Sequence, residues 1–146
     1  MYSLEEFDKQ KTKVLKYIIY KKRTENEVRT KFSKDIDEEL LEDIIEYLKE
    51  AGYINDYDYL ERTVNQYINL KNLSIKELTY KLYSKGIDKK ILEKYFEENE
   101  EILNDYERKS ANNIINKKIS SMETQDIKMY LLRKGYKSDN IKLGED

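Results

Sequence analysis

Cysteine, histidine and proline are absent from this 146-residue sequence, and glycine occurs only four times. Without cysteine there is neither a disulfide framework nor a thiolate metal site. Without histidine, Ser-His and Cys-His catalysis, imidazole metal ligation and the usual near-neutral pH switch all fall away. The shortage of proline and glycine argues against turn-rich β architecture, whose hairpins depend on those residues. Long hydrophobic runs are missing too. Nothing approaches the ~18–20 apolar residues that span a bilayer, and the opening MYSLEEFDKQKTKVLKYIIYKK has no apolar signal-like core or cleavage site. The expectation is a soluble, cytoplasmic chain without a membrane association.

Charge is abundant: 40% of residues are Asp, Glu, Lys or Arg, against 38% hydrophobic. Long runs of lysine, glutamate, isoleucine and leucine favour helix, and the modest apolar fraction suits an elongated body with thin cores. Net charge is only −2, but it is unevenly spread. From Asp8 to Lys34 ten Lys/Arg face three acidic residues, from Glu38 to Glu61 Lys49 alone faces nine, and from Arg108 to Lys137 eight Lys/Arg face two. Two basic ends flank an acidic segment. Solvated faces of mixed sign would account for this; so would patches for polyanions or acidic protein surface.

Helix signals run the length of the chain. Val14, Leu15, Ile18 and Ile19 form a first apolar stripe. Thr24 and Glu27 have capping-box spacing ahead of a short helix through Val28 and Phe32. Asp37 caps a third helix carrying Leu40, Leu41, Ile44, Ile45 and Leu48, stopped by Gly52. Asp56 is the next expected cap, before Leu60, Val64, Tyr67 and Ile68. Ser74 and Glu77 make a second capping box, leading into Leu78 and Leu82 and ending at Gly86. Asp88 caps a helix with Ile91, Leu92, Tyr95 and Phe96. A long helix then carries Ile102, Leu103, Tyr106, Ala111, Ile114, Ile115 and Ile119. A short one with Ile127 and Leu131 ends at Gly135, and Ser138 opens a last stub with Ile141 and Leu143.

The segment SIKELTYKLYSKGIDKKIL from Ser74 returns as TQDIKMYLLRKGYKSDNI from Thr124. Val28, Leu78 and Ile127 occupy the same place in three successive sets, 50 and 49 residues apart. Phe32, Leu82 and Leu131 follow four residues on; Glu27, Glu77 and Asp126 precede by one. Lys85-Gly86 matches Lys134-Gly135, a pair the first set lacks. A period near fifty, built of a long, a short and a medium helix, is a tandem-repeat signature. The expected fold is therefore all-α: three tandem three-helix repeats, 1–54, 55–99 and 100–146, the last with a short final helix, forming an elongated curved array. The repeated glycines and capping Ser/Thr are read first as helix caps.

In this repeat the sequence resembles the RecX family of regulatory proteins, bacterial modulators of the RecA recombinase. The resemblance covers roughly Lys9 to Leu143. It is carried by EYLKEAGYINDYDYLERTV (Glu46 to Val64), where Gly52, Tyr53, Asn55, Asp56 and Tyr59 fit the family's GY-x-(D/N)-D-x-x-(F/Y)-A pattern. It is carried also by Glu77, Leu78, Lys81, Leu82, Lys85 and Gly86, which fit E-L-x-x-K-L-x-x-K-G, and by LLRKGYKSDNI (Leu131 to Ile141). Leu60 stands where the family usually has alanine, NLKNLS replaces a glycine-rich loop, and the chain is more acidic than many relatives, which argues against strong independent DNA binding.

The resemblance implies a non-enzymatic regulator in recombination and DNA repair, without cofactor. Its relatives lie along the groove of the RecA–single-stranded DNA filament, suppress its ATPase and strand exchange, and oppose filament growth or persistence. An elongated helical array suits such a groove, and many modest contacts on a stiff scaffold lose less ordering entropy than a flexible tail. The candidate recombinase- or DNA-binding residues are Lys81 and Lys85 with Arg133 and Lys134, which the repeat places around equivalent short helices, extended by Lys117, Lys118 and Lys128. They would pair with acidic recombinase surface or phosphate. A monomer is expected, since the repeats bury their stripes on each other.

Other readings are weaker on the residues. In a winged-helix DNA-binding domain TENEVRTKF and DEELLEDIIEYLKEAGYI would be its helices, but helical spacing follows Ile54 where a wing strand is required. DYDYLE resembles the start of a calcium loop, yet Glu61 stands at its glycine position and Tyr67 at its final glutamate. Glu97, Glu98, Glu100 and Glu101 read as a solvated helix junction, and no glycine-rich phosphate loop exists. Tyr67, Tyr95 and Tyr106 fall on apolar faces, which favours packing over stacking on bases. A scaffold for some other protein shares the same repeat architecture.

Overall fold

In the computed structural model, which describes residues 1–143, the chain folds into eight α-helices and one 3-10 turn, with no strand among the described residues. The order is α1 (Leu4–Tyr20), α2 (Glu25–Phe32), α3 (Glu38–Glu50), α4 (Asp56–Leu70), α5 (Ile75–Ser84), α6 (Lys89–Glu98), α7 (Glu100–Lys118) and α8 (Thr124–Arg133), followed by the turn Ser138–Asn140. The all-α class expected from the sequence holds. Where a ninth helix was expected, a single turn closes through the Ile141 N–H donating to the Ser138 carbonyl at 3.1 Å. The missing strands leave no wing for the winged-helix alternative. No helix among the described residues is long and apolar enough to cross a membrane.

Local chemistry sets the helix starts. Thr24 accepts from the Glu27 N–H at 3.0 Å while the Glu27 carboxylate accepts from the Thr24 N–H at 3.0 Å, and Ser74 and Glu77 repeat this at 3.0 and 3.1 Å. Both capping boxes are closed. At α4 the cap is Asn55, which accepts from the Asp58 N–H at 3.0 Å. Asp56, the expected cap, is the first helical residue instead, and its carboxylate accepts from the Glu25 N–H of α2.

Three apolar clusters line up along the chain. The first joins Val14 and Ile18 to α2 and to Leu40, Leu41, Ile44, Ile45 and Leu48 of α3. The second gathers Leu60 and Val64 with Leu78, Leu82, Leu92 and Tyr95. The third holds Ala111, Ile115, Ile127, Leu131, Tyr136 and Ile141. α7 serves two of them, giving Leu103 and Tyr106 to the second and Ala111 and Ile115 to the third. Ile19 and Ile102, placed on apolar stripes in the sequence, are instead 68% and 60% exposed; each sits about 100° around its helix from the adjacent buried position. The accessible surface is 10089 Å², whereas a compact monomer of 17.7 kDa would expose roughly 7,900 Å². The excess is that of an open, extended body with thin cores.

Candidate functional site

Successive short helices meet head to tail, and their junctions make the surface on which the basic residues sit. The Lys85 carbonyl, just past α5, faces the N-terminus of α2, where the Thr24 hydroxyl reaches it at 3.5 Å. The Lys134 carbonyl, just past α8, faces the N-terminus of α5, where the Ser74 hydroxyl donates to it at 2.7 Å. Thr24 and Ser74 are fully buried. Each hydroxyl thus serves its own helix as a cap and reaches the next short helix as a donor. The negative end of one dipole is set on the positive end of another.

Gly86 and Gly135 allow this close approach. Both have positive φ, 81° and 97°, the left-handed conformation of a helix C-cap. A Cβ on Gly86 would also lie 2.7 Å from the Asn26 Cβ and nearer still to its amide, and one on Gly135 would lie 2.8 Å from the Lys76 Cβ. The glycines are therefore caps and contact points at once.

Carboxylates from the long helices clasp the same junctions. Asp56 of α4 accepts from the Glu25 N–H at 2.9 Å, in the first turn of α2. Glu107 of α7 accepts from the Ile75 N–H at 2.6 Å, in the first turn of α5, and its other oxygen takes the Lys137 N–H at 2.9 Å and the Asn140 amide at 2.8 Å. Glu107 is fully buried. Asp56 is half-buried, and loss of water pushes its carboxyl above the usual range, aided by the Glu25 charge and opposed by the N–H bond it accepts. Beside the first junction Arg29 forks onto Glu42 at 2.6 and 2.9 Å and reaches Glu25 at 3.1 Å. Its hydrogen bonds to Glu42 hold that carboxyl below the ordinary value.

Above each junction lies a shallow groove. In one, Asn26, Glu27, Thr30 and Lys31 face Ser84 and Lys85. In the other, Lys76, Glu77, Tyr80 and Lys81 face Arg133 and Lys134. Of the predicted residues, Lys81, Arg133 and Lys134 therefore come together, and Lys85 lies in the neighbouring groove. Lys118 joins the second site through Tyr130, whose ring lies 4.3 Å from the Lys118 ammonium and 5.7 Å from that of Lys134. Lys117 and Lys128 are exposed but line neither groove. Among the described residues none of these seven cations is ion-paired, in contrast to Lys22, Arg29, Lys49 and Arg62.

Sequence reasoning missed Lys31, Lys76, Tyr17 and Tyr80. Lys31 lies over the Tyr17 ring at 5.9 Å, as Lys81 lies over the Tyr67 ring at 6.0 Å. The same fifty-residue period that aligned Val28 with Leu78 aligns these pairs. The buried Glu107 was missed too, because a glutamate on a highly charged helix gives no signal of burial.

Comparison with known proteins places this arrangement. No family model matches the chain. Regulatory protein RecX of Finegoldia magna is 45% identical over 85 residues, 58% of this chain and 42% of that protein. Regulatory protein RecX of Staphylococcus epidermidis is 33% identical over 98% of this chain and 56% of its own length. A crystal structure of RecX from Lactobacillus salivarius matches with a TM-score of 0.78 and 27% identity, over 94% of this chain and 93% of that one. The chain belongs to the RecX family. It spans about half the length of the Finegoldia and Staphylococcus relatives. The RecX proteins it matches are named as regulators, not for a reaction.

Proposed function

We propose that this chain regulates the RecA recombinase by lying in the groove of the RecA–single-stranded DNA filament, where it inhibits ATPase and strand exchange and limits filament growth or persistence. It acts as a binding protein without catalysis or cofactor, in the cytoplasm, and as a monomer. The units 1–54, 55–99 and 100–146 are its building blocks, and Lys81, Lys85, Lys117, Lys118, Lys128, Arg133 and Lys134 are its contact residues.

The observation that carries this reading, beyond family membership, is the gathering of Lys81, Arg133 and Lys134 in one groove with no internal ion pair among the described residues. Cations left without carboxylate partners are available to an acidic surface. An open helical array is suited to contact several subunits of a polymer, so that binding depends on the assembled filament.

A helical-repeat DNA-binding module is the alternative, favoured by the same cations but opposed by the acidic segment from Glu38 to Glu61. Filament assembly separates the two. Labelled recombinase is followed as it grows on single-stranded DNA, and the chain is tested in parallel for a gel shift of naked DNA. Slower growth or faster loss without a shift of naked DNA is expected; a shift of naked DNA with unchanged assembly would overturn the proposal. Sedimentation as a stable dimer would overturn the monomer.

A further inference from the structure

The two junction grooves are built alike. Asn26, Glu27, Thr30 and Lys31 in the first stand where Lys76, Glu77, Tyr80 and Lys81 stand in the second, and Ser84 and Lys85 stand where Arg133 and Lys134 stand. The correspondence extends to an aromatic ring near one lysine of each groove. Tyr17 has Lys31 at 5.9 Å and Arg23 at 4.1 Å, and Tyr67 has Lys81 and Lys71, each at 6.0 Å. Each lysine stem comes from a short helix and each ring from the long helix before it. The wall of each groove carries one glutamate, Glu27 or Glu77, fixed in a capping box.

We infer that these grooves are two copies of one binding site, each taking an acidic side chain from a protein partner whose own subunits repeat. The inference rests on the recombinase-filament reading and adds a second site to it, with Lys31 and Lys85 as contact residues beside Lys81, Arg133 and Lys134.

The kind of anion follows from the groove walls. A phosphodiester strand carries a charge at every nucleotide and would have to pass Glu27 and Glu77 on the groove walls. A single carboxylate avoids this, because it meets the lysines as a point charge while the partner's main-chain N–H groups face the fixed glutamate. Two sites on one stiff scaffold also make binding bivalent. The second contact forms at a high effective concentration when the partner is polymerised, and not when it is a lone subunit.

The test uses the full chain against recombinase filaments assembled on immobilised single-stranded DNA, against recombinase subunits without DNA, and against naked DNA. Lys31→Glu/Lys85→Glu disables the first groove and Lys81→Glu/Arg133→Glu/Lys134→Glu the second. Glutamine versions of both, and Lys9→Glu/Lys13→Glu as an exposed control, guard against loss through unfolding, which circular dichroism checks. Each groove variant is expected to weaken filament binding by roughly 10²-fold, down to the level of binding to lone subunits, with the control unchanged. Wild-type binding to filament with Lys31→Glu/Lys85→Glu unaltered overturns the second site while leaving the recombinase reading intact. Failure of the wild type to bind filament overturns that reading and the partner named here together. Loss of binding to naked DNA in parallel with filament binding would show the grooves to be phosphate sites and overturn the inference.

Discussion

The hydroxyl of Ser74 donates to the main-chain oxygen of Lys134 at 2.7 Å, across 60 residues of sequence, while it accepts from the Glu77 N–H at 3.0 Å. One side chain therefore begins a helix and ties that helix to the end of the next short one. The Ser74 Oγ sits in a fully buried residue, so both bonds are made out of reach of water.

Ser74→Ala leaves the Glu77 N–H and the Lys134 carbonyl without this partner and is expected to cost about 2 kcal/mol, the sum of a lost cap and a lost tie. Thr24→Ala is expected to cost less, because its outward contact is 3.5 Å and only its cap is strong. Thermal or urea unfolding of the two variants checks the order; an equal loss would mean that the tie to Lys134 contributes nothing.

Gly52 has φ of 84° and only open space where a Cβ would stand, whereas Gly86 has φ of 81° and the Asn26 side chain against it. Gly52→Ala is thus expected to cost about 1–2 kcal/mol from left-handed strain alone. Gly86→Ala is expected to cost more, and Asn26→Gly to recover part of the excess in a double-mutant cycle. Equal costs at the two glycines, with no coupling to Asn26, would contradict a steric role for Gly86.

Glu107 and Asp56 occupy matching positions at the two junctions and should respond differently to neutralisation. Glu107 accepts three bonds, and Glu107→Gln turns an NH₂ toward N–H donors, at an expected cost of about 2–3 kcal/mol. Asp56 accepts one main-chain bond, which Asn can also accept. Burial, with the Glu25 charge, raises the Asp56 carboxyl. Its contribution to stability is therefore full below the unfolded value and is lost as pH rises through the raised folded value. Asp56→Asn is then expected to gain on the wild type as pH rises from the acid side of the carboxylate range to neutrality. Glu42, lowered chiefly by its hydrogen bonds to Arg29, works in the other sense. Its contribution is present above the ordinary carboxylate range and fades as pH falls through the lowered value. Unfolding curves across that range check both signs.

The helices, their short-helix capping boxes and the fifty-residue period were legible because each rests on local chemistry: apolar spacing at Leu40, Leu41, Ile44, Ile45 and Leu48, and hydroxyl-to-glutamate spacing at Thr24 and Ser74. The junctions were not legible, because they join residues about sixty apart. Gly86 and Gly135 carried a sufficient local explanation as C-caps, which hid their second role against Asn26 and Lys76. Asp56 was assigned a cap that Asn55 performs, since adjacent Asn and Asp are equally good caps and only the fold shows that the Asp56 carboxylate reaches Glu25. Lys81, Arg133 and Lys134 could be grouped from the repeat; Lys117 and Lys128, expected to extend the same basic neighbourhood, line neither groove, which only the folded helices show.

The single-stranded-DNA-dependent ATPase of the cognate recombinase, titrated with this chain and with its Lys81→Glu/Lys85→Glu/Arg133→Glu/Lys134→Glu variant, tests the proposed function most directly. Suppression by the wild type at equimolar or lower ratios, lost in the folded variant, is the predicted result. An ATPase untouched by the wild type, at concentrations where the chain shifts naked DNA, would contradict it.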